Sequence, residues 1–536
     1  MASIARNLFL VLAVCVYAAQ ATTTSYFVEY DSSLFAGSAS GGANAEPPAV
    51  TNFFTWMTGA NNTLAPITNL PLQFIIQQRL LTVVNGSVVQ MTAVGATAAA
   101  LRPGVTSVRA SVNLVIPEPA PTTPPFKFGN ITIPEELEEQ YKRLLPNFSG
   151  NDRMLRRLRS GADRVSSALK DFARSKKHGE VHKRVLQDNG DELPPIREQN
   201  GLLLDALYGL DQMDDLANLD DSYRFVRAGA NVDVYVVDSG IRATHDQFDQ
   251  GRVREGRNYV SDGRGTNDCN GHGTHVAGTI GGKETGIAKG VRLYPIRVFG
   301  CSGTSASTSL LMALDYVNRM ASQRRTTQGR FAVVNLSLGG ARDTALNAAV
   351  DTLAANGHIV VAAAGNDNVD ACDSSPASAQ GAITVAAHDI STDKTDFSNF
   401  GPCVDLYAPG DRILSAWFTG DDDTQFLSGT SMSAPHVAGL IARYLEQSED
   451  PSTARTSLLC SAEDGAIDGN PANTPNERAY ANPAGLSRVT VAGECRGPPP
   501  ASAASRRASW ALLILVGFLA VFGSYMAREE TMMREY

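Results

Sequence analysis

Three apolar runs between residues 232 and 366 limit the possible folds more strongly than any other feature of the sequence. VDVYVVD at 232–238, FAVVNLSL at 331–338 and HIVVAAAGN at 358–366 show no alternation of apolar and polar residues. Such runs are typical of strands that are covered on both faces of a sheet. The stretches between them, such as TSLLMALDYVNRMAS at 308–322, have helical spacing. The order strand, helix, strand predicts an α/β fold built on a parallel sheet.

Length and charge limit what the chain can do. It has 536 residues, of which 43% are apolar, so we expect two or three domains and a large core. The net charge of −9 gives no support for a phosphate-binding surface, and the basic residues between Arg153 and Arg184 form one local cluster. We therefore expect no nucleic-acid partner.

The first 21 residues have the pattern of a secretory signal peptide, with Arg6, an apolar stretch at 8–17 and small residues at Ala19 and Ala21. Cleavage after Ala21 removes Cys15 and leaves six cysteines. This even number permits three disulfides in an oxidising compartment. Glycosylation sequences also fit a secreted glycoprotein, and four of them precede Arg153, at Asn61, Asn85, Asn130 and Asn147.

Two polar residues, Asp238 and Asn366, stand where apolar runs stop, and reactive groups of a parallel sheet gather at the carboxyl ends of its strands. GHGTHVAGTIGG places His272 between two glycines at the start of a helix. LSGTSMSAPHVAGL places Ser431 just before the helical run that begins at Pro435. Asp, His and Ser are the residue types needed for nucleophilic acyl transfer, in which the imidazole takes the hydroxyl proton and the carboxylate orients the imidazole.

Three histidines compete for the role of the base. We choose His272, because its flanking glycines let backbone and substrate approach. His275 lies within the same helix and His436 lies within the helix after Ser431, so we expect both to be structural. Attack on a carbonyl also creates an oxyanion, and we assign its donors to the Asn366 side chain and the backbone N–H of Ser431.

Six stretches together resemble the catalytic domain of subtilisin-like serine proteases (peptidase S8), most closely the proteinase K and aqualysin-like branch. They are VVDSGI, DCNGHGTHVAGTIGG, VVNLSLGG, AAAGNDNVDAC, DFSNFGPCVDLYAPG and LSGTSMSAPHVAGL. The resemblance implies a subtilisin-like three-layer α/β fold with a mostly parallel central sheet. It also implies a serine endopeptidase that needs no cofactor for catalysis. An inactive binding module and a purely structural secreted protein are the alternatives, and the complete set of catalytic positions argues against both.

The resemblance also divides the chain. Residues 22–120 resemble a subtilisin-type propeptide, a small α+β domain that in the family assists folding and inhibits the enzyme until it is cut. YFVEYD and LRPGVTSVRASVNL carry this part of the resemblance. A Pro-rich joint at 117–126 and a charged linker or extended pro-region at 121–200 follow, and then the catalytic domain at 201–491. We expect a zymogen whose own propeptide is its intramolecular inhibitor.

The stretches that wall the primary pocket in the family contain only small or apolar residues here. A pocket that selects Lys or Arg needs a buried counter-charge, because an unpaired buried cation is costly. We therefore expect broad cleavage of protein and peptide substrates with an apolar or aromatic preference. The wall residues carried over from the family are Ser337, Leu338, Gly339, Ala363, Ala364 and Gly365.

The family also implies disulfides and calcium. Cys269 with Cys301 and Cys372 with Cys403 match two bridges of the aqualysin-like enzymes, which leaves Cys460 with Cys495. Calcium is expected to bind oxygen ligands. The resemblance implies one site made by the carboxylate of Asp405 with the carbonyls of Gln380 and Ala382, and the acidic stretch LDQMDDLANLDD offers a weaker second set, Asp211, Asp214 and Asp221.

The C-terminal tail has an apolar run of 17 residues, WALLILVGFLAVFGSYM, at 510–526. This length is at the short limit for a membrane helix. We expect a stalk at 492–508, a membrane span at 509–527 and a short tail at 528–536, with the catalytic domain extracellular or luminal. A lipid-anchor signal is the rival, but such signals normally finish apolar, whereas this chain ends AREETMMREY.

Overall fold

The computed structural model describes residues 24–30, 74–80, 86–91, 105–116, 126–127, 197–200, 207–214, 219–220, 222–249 and 251–480. Within these ranges, none of the helices combines the length and the hydropathy that a bilayer crossing requires. The predicted signal peptide, the asparagines of the four glycosylation sequences, Asp221, Cys495 and the apolar run at 510–526 lie outside the described residues.

Within the described residues, the chain forms 22 strands and six α-helices. The first strands are β1 (Thr24–Tyr30), β2 (Phe74–Leu80), β3 (Gly86–Met91), β4 (Val105–Ala110), β5 (Asn113–Val115), β6 (Phe126–Lys127), β7 (Arg197–Asn200) and β8 (Ser222–Phe225). They are followed by β9 (Val232–Asp238), β10 (Arg257–Asn258), β11 (Arg292–Arg297), β12 (Thr304–Ala306), β13 (Phe331–Leu336), β14 (Gly340–Ala341), β15 (Ile359–Ala363) and β16 (Ser374–Ser375). The last are β17 (Ala382–His388), β18 (Leu406–Pro409), β19 (Ile413–Ala416), β20 (Asp423–Leu427), β21 (Glu463–Asp464) and β22 (Glu477–Arg478). The helices are α1 (Tyr208–Asp214), α2 (His272–Gly281), α3 (Ser307–Gln328), α4 (Thr344–Ala355), α5 (Thr430–Ser448) and α6 (Pro451–Ser461), with a 3-10 turn at Ala371–Asp373.

The predicted parallel sheet is present. Its strand order is β10-β11-β9-β13-β15-β17-β18-β22-β21, and all neighbours are parallel except the antiparallel pair β21 and β22 at one edge. Every residue of β9 is buried, as the run VDVYVVD predicts. The three apolar runs therefore form neighbouring strands, β9, β13 and β15, in the middle of this sheet.

Helices cover both faces of the sheet and make three layers. Val234 and Val236 point into one core cluster with apolar residues of α2 and α5. Tyr235 and Val237, which alternate with them, point into a second cluster with residues of α3 and α4. This alternation is the period of a strand whose two faces are both buried. The fold is thus the expected three-layer α/β fold with a mostly parallel central sheet.

A separate antiparallel sheet, with strand order β2-β3-β1-β4, packs on the outer helices. Phe27 and Val88 of this sheet are buried in the same cluster as α3 and α4. The Arg109 guanidinium donates to the Thr344 hydroxyl at the start of α4, at 2.6 Å. The Ser111 hydroxyl accepts the backbone N–H of Thr308 in the first turn of α3, at 3.2 Å. The sheet is therefore docked on two helix N-termini.

The segment that leaves this sheet lies as an extended strand against the main body. β5 pairs antiparallel with β12, so that Val115 stands opposite Thr304. On the β12 side, the Ile116 N–H also donates to the Gly303 carbonyl at 3.0 Å. On the other side of the segment, the Val115 N–H donates to the Gly339 carbonyl at 3.2 Å. Leu114, which precedes Val115 in this segment, is fully buried. The segment is held by backbone hydrogen bonds on two sides.

Helix α5 begins five residues before the periodic run from which we predicted it. It starts at Thr430, and Pro435 lies inside it. Proline has no N–H, so the Ser431 carbonyl loses its helical donor. The Ser337 hydroxyl donates to this carbonyl instead, at 2.8 Å. A donor from the residue after β13 thus lets the helix extend back through Pro435.

We predict that Val236→Ala lowers the free energy of unfolding by about 2 kcal/mol, since it removes buried apolar groups and leaves a cavity. Val236 is fully buried in the central strand. The matched control is Val369→Ala, because this valine is 43% exposed. Denaturant unfolding of both variants measures the difference. Equal losses in the two variants would contradict the placement of β9 at the centre of the core.

Candidate active site

Asp238 and His272 meet at the carboxyl edge of the sheet. Asp238 ends β9, and His272 is the first residue of α2. The His272 Nδ1 lies 2.7 Å from Asp238 Oδ1, and both side chains are buried. Burial raises the pKa of Asp238, while the neighbouring imidazole of His272 opposes that rise. A carboxylate in this place fixes the orientation of the imidazole and stabilises its protonated form.

The two glycines beside His272 allow this contact. Gly271 has φ 109°, which favours glycine, and a Cβ there would lie 2.4 Å from the Trp417 ring. A Cβ on Gly273 would lie 2.2 Å from the Gly240 carbonyl oxygen and 3.1 Å from Asp238 Oδ1. The close approach of β9 and α2 therefore requires glycine at 273, whereas the positive φ and the Trp417 ring require glycine at 271.

Asp268, which the sequence analysis did not single out, holds the first turn of α2. Its Oδ1 accepts the backbone N–H groups of Asn270 and Gly271, each at 2.9 Å. Its Oδ2 accepts the backbone N–H of Thr274 at 2.9 Å and the Thr274 hydroxyl at 2.7 Å. The Ser239 hydroxyl, next to Asp238, also donates to Asp268 at 2.9 Å. One carboxylate thus ties the end of β9 to the N-terminus of α2, where negative charge is favourable.

Ser431 is the second residue of α5 and is fully buried. Its hydroxyl lies 3.4 Å from the Ser337 carbonyl oxygen, and its own carbonyl accepts the Ser337 hydroxyl. The Asn335 side chain in turn donates to the Ser337 hydroxyl at 2.9 Å. These buried contacts join the start of α5 to the end of β13 and fix where Ser431 lies.

The amide of Asn366 is oriented by Thr430, a residue that sequence reasoning missed. Asn366 Oδ1 accepts the Thr430 backbone N–H at 2.9 Å and the Thr430 hydroxyl at 2.8 Å. The same hydroxyl accepts the Gly365 N–H at 3.0 Å. Because the amide oxygen is engaged in this way, the NH₂ group is turned to the other side, where it is a donor. The adjacency of Thr430 and Ser431 in the motif was the available signal.

The competing histidines are enclosed in the core. His275 Nε2 lies 2.9 Å from the Ile413 carbonyl oxygen, and burial lowers the pKa of this histidine to about 3. His436 Nδ1 lies 2.7 Å from the Met432 carbonyl oxygen, and burial lowers its pKa to about 4. Both are neutral at pH 7 and bound to backbone carbonyls, as a structural role requires.

The two predicted wall stretches occupy neighbouring strand ends. Ser337, Leu338 and Gly339 follow β13, and the last of them bonds to Val115. Ala363 ends β15, and Ala364 and Gly365 follow it. The Asn399 side chain donates to the Ala364 carbonyl at 2.9 Å, and a Cβ on Gly365 would lie 2.3 Å from that side chain. A third element, β12, pairs with β5 on the side away from Gly339, and it was not predicted.

Two of the predicted cysteine pairs are joined in the structure. Cys269, close to His272, is bonded to Cys301 across 32 residues, and Cys372 is bonded to Cys403 across 31 residues. Closed loops of this size contribute roughly 3 to 4 kcal/mol each in the chain-entropy account. Cys460 is also disulfide-bonded, and its pairing with Cys495 stays a prediction.

The residues of the first predicted calcium site do not fit the ion. The Arg455 guanidinium donates to the Ala382 carbonyl at 3.0 Å and lies 3.7 Å from Asp405 Oδ1. The other carboxylate oxygen of Asp405 accepts the Thr384 N–H at 2.8 Å. Gln380, the third predicted ligand, is exposed. A cationic side chain thus already contacts two of the three predicted ligands.

The second predicted set faces an arginine too. The Asp214 carboxylate accepts the Arg224 N–H at 2.9 Å and lies 3.8 Å from the Arg224 guanidinium. Burial raises the pKa of Asp214 to about 8, which opposes the ionised form that binds calcium. Asp211 accepts the Asp220 N–H at 3.3 Å. Within the described residues, neither aspartate belongs to a group of three side chains that could share an ion.

We predict that Asp268→Ala lowers kcat by at least about tenfold with a smaller change in KM, because α2 loses its cap and the His272 ring loses its fixed position. Asp262→Ala is the matched control, since this carboxylate bonds to Arg297 rather than to α2. Rescue by Asp268→Asn to an intermediate kcat is expected, because an amide oxygen still accepts from the helix. An Asp268→Ala enzyme with the kcat of the parent would contradict the positioning role.

Comparisons with known proteins match the part of the chain that holds these residues. The family model described as Peptidase_S8, subtilase family, matches residues 229–487. The extracellular serine proteinase of Thermus sp. is 44% identical over 278 residues, which are 51% of this chain and 66% of that protein. The cuticle-degrading serine protease of Arthrobotrys oligospora is 41% identical over 284 residues, which are 52% of this chain and 68% of that protein.

A solved structure is also similar. It is the crystal structure of a cold-adapted subtilisin-like serine proteinase with 38% sequence identity. The match covers 52% of this chain and 98% of the solved chain, with a TM-score of 0.47. The chain spans about two thirds of the length of each of the two relatives named above. The extent of the match to the Arthrobotrys protein establishes the relationship, and the chain belongs to the subtilase family of serine proteases.

Proposed function

We propose that the chain is a secreted serine endopeptidase in which Ser431 is the nucleophile, His272 the base and Asp238 the group that orients the base. The 2.7 Å contact between Asp238 Oδ1 and His272 Nδ1 carries this proposal. It leaves Nε2 of His272 as the atom that takes the proton when the Ser431 oxygen attacks the peptide carbonyl. The imidazolium then protonates the leaving amine, and water releases the acyl group by the same steps in reverse.

The oxyanion of the intermediate is stabilised by two donors. The backbone N–H of Ser431 stands in the first turn of α5, where N–H groups have no intrahelical acceptor. The NH₂ group of Asn366 is the second donor, and the two hydrogen bonds that its oxygen accepts from Thr430 support this orientation. Donors that are fixed in advance stabilise charge that develops only in the transition state.

Substrates are bound as an added strand between β12 and the stretch after β13. The backbone pairing of residues 113–116 in this groove supports the proposal, because an extended peptide can make the same hydrogen bonds. The pocket walls named above contain no charged residue. Broad specificity with a preference for apolar or aromatic side chains follows, since the backbone supplies affinity and the pocket selects against charge.

The N-terminal part acts as the inhibitor of a zymogen made in the secretory pathway. Two observations support this: its sheet packs on α3 and α4, and β5 lies in the proposed substrate groove. Residues 113–116 therefore exclude a substrate until the chain is cut and this part is released. The signal peptide at 1–21 and the extracellular relative from Thermus agree with secretion.

The apolar run at 510–526 anchors the mature enzyme in a membrane, with the catalytic domain on the extracellular or luminal side. The support is the sequence of this run and the polar tail that follows it. The signal peptide gives the orientation, because it places the domain that precedes the run across the membrane.

We predict that Ser431→Ala lowers peptide hydrolysis by about 10⁶-fold, the effect of losing the nucleophile in subtilisin itself. The variant should also stay uncut between the N-terminal part and the catalytic domain. Ser433→Ala is the control, because this serine lies in the same helix and bonds to the Ala408 carbonyl, away from the proposed catalytic groups. Initial rates and N-terminal sequencing measure both effects. Parental hydrolysis by Ser431→Ala refutes the nucleophile assignment.

Asn366→Ala should lower kcat by about 100- to 1000-fold with little change in KM, as loss of one oxyanion donor does in subtilisin. The amide stabilises the transition state and not the bound substrate, so kcat carries the loss. Asn368→Ala, two residues on and outside the site, is the control. Steady-state kinetics on a short peptide separates the two constants. A large rise in KM at constant kcat would show that Asn366 binds substrate instead.

An antibody against the last ten residues should detect the mature enzyme in the membrane fraction. A chain that stops after residue 508 should be released into the medium, because it lacks the apolar run. Carbonate extraction and fractionation measure both results. Loss of the epitope from the membrane-bound enzyme, together with release by phospholipase, would replace the span with a lipid anchor.

A further inference from the structure

The guanidinium of Arg455 lies at the point where three elements meet. Arg455 projects from α6, whose start is capped by Asp450. Its Nη1 donates to the Gly381 carbonyl at 3.2 Å and its Nη2 donates to the Ala382 carbonyl at 3.0 Å. The same Nη2 lies 3.7 Å from Asp405 Oδ1, just before β18. One side chain thus links α6 to the start of β17 and to the residue before β18.

These contacts use the oxygen atoms that a calcium ion would need. Calcium takes six to eight oxygen ligands in close contact. Here the Ala382 carbonyl already accepts from Arg455, and the Asp405 carboxylate faces the same positive charge and also accepts the Thr384 N–H. A divalent cation bound to these atoms would lie within a few ångströms of the guanidinium. The repulsion between two cations in a half-buried place opposes such binding.

The burial of the Asp405 carboxylate means that a positive charge beside it is stabilising. The side chain of Asp405 is only 12% exposed, and that of Arg455 is 25% exposed. A carboxylate that is buried without a positive partner is costly, and the guanidinium 3.7 Å from Asp405 Oδ1 offsets part of that cost by its charge.

We propose that Arg455 takes the place of the structural calcium ion at this site, so that the chain carries its own cation between β17, β18 and α6. The junction is then stabilised without metal. Its stability does not depend on the calcium concentration outside the cell. This inference concerns stability and does not rest on the proposed proteolytic activity.

The test uses the full chain with Ser431→Ala, which serves only to prevent self-digestion. Thermal unfolding and calorimetric titration are run with calcium and with a chelator. The change in melting temperature on adding calcium is compared between each protein and the same protein with Asp405→Asn. In the parent we expect Asp405→Asn to leave this change unaltered. In Arg455→Ala the melting temperature should fall by about 3 °C or more in chelator, and calcium should restore most of the loss through one new site.

Two further variants complete the test. Arg455→Ala with Asp405→Asn should lose the response to calcium, because the only carboxylate of the site is gone. Arg319→Ala is the matched control, since Arg319 pairs with a buried aspartate, Asp315, on α3. It should lower stability without creating a calcium response.

Two results would overturn the proposal. One is a calcium response in the parent that Asp405→Asn removes, because the ion would then bind beside Arg455. The other is an Arg455→Ala protein that gains no calcium site. If Arg455→Ala does not fold in chelator, Arg455→Lys replaces it in the test. This variant keeps the positive charge and should respond to calcium as the parent does. A calcium response gained in Arg455→Lys would contradict the exclusion of calcium by charge.

Discussion

Burial of the central sheet on both faces is the constraint on which the rest of the structure depends. Because Val234 and Val236 face α2 and α5 while Tyr235 and Val237 face α3 and α4, β9 is held between two helix layers. The first polar side chain after these alternating apolar residues is Asp238, at the carboxyl edge of the sheet. Its contact with His272 therefore follows from packing: the strand can neither slip nor turn without exposing one of two cores.

Polar contacts then turn this edge into a site of fixed geometry. A carboxylate, Asp268, joins the end of β9 to the start of α2. The Ser337 hydroxyl satisfies the Ser431 carbonyl that Pro435 leaves without a donor, and Thr430 orients Asn366. Ser337 and Thr430 are fully buried, and Asp268 and Asn366 are half-buried. Leaving a buried polar group without its partner costs more than the bond itself contributes. This network of hydrogen bonds fixes the positions of the proposed catalytic residues.

The sequence predicted much of this arrangement, and the physical reason is that the signals are local. Continuous apolar runs predicted the parallel strands, and GHG predicted the close approach at His272. The start of α5 was predicted five residues late, because the donor that satisfies Ser431 comes from a different strand. Asp268, Thr430 and Arg455 were missed for the same reason: their partners are set by tertiary contacts, and a single aspartate, threonine or arginine has many possible uses. The calcium ligands taken from the family could not reveal that Arg455 reaches the same oxygen atoms.

Activation of Ser431 by Asp238 and His272 can be measured by labelling the protein with a fluorophosphonate and locating the adduct by mass spectrometry of its peptides. Such probes react with a serine whose hydroxyl is activated as a nucleophile. We expect one adduct, on the peptide that carries Ser431, and its loss in His272→Ala. An adduct on another serine, or labelling of Ser431 that persists in His272→Ala, would show that this pair does not activate Ser431.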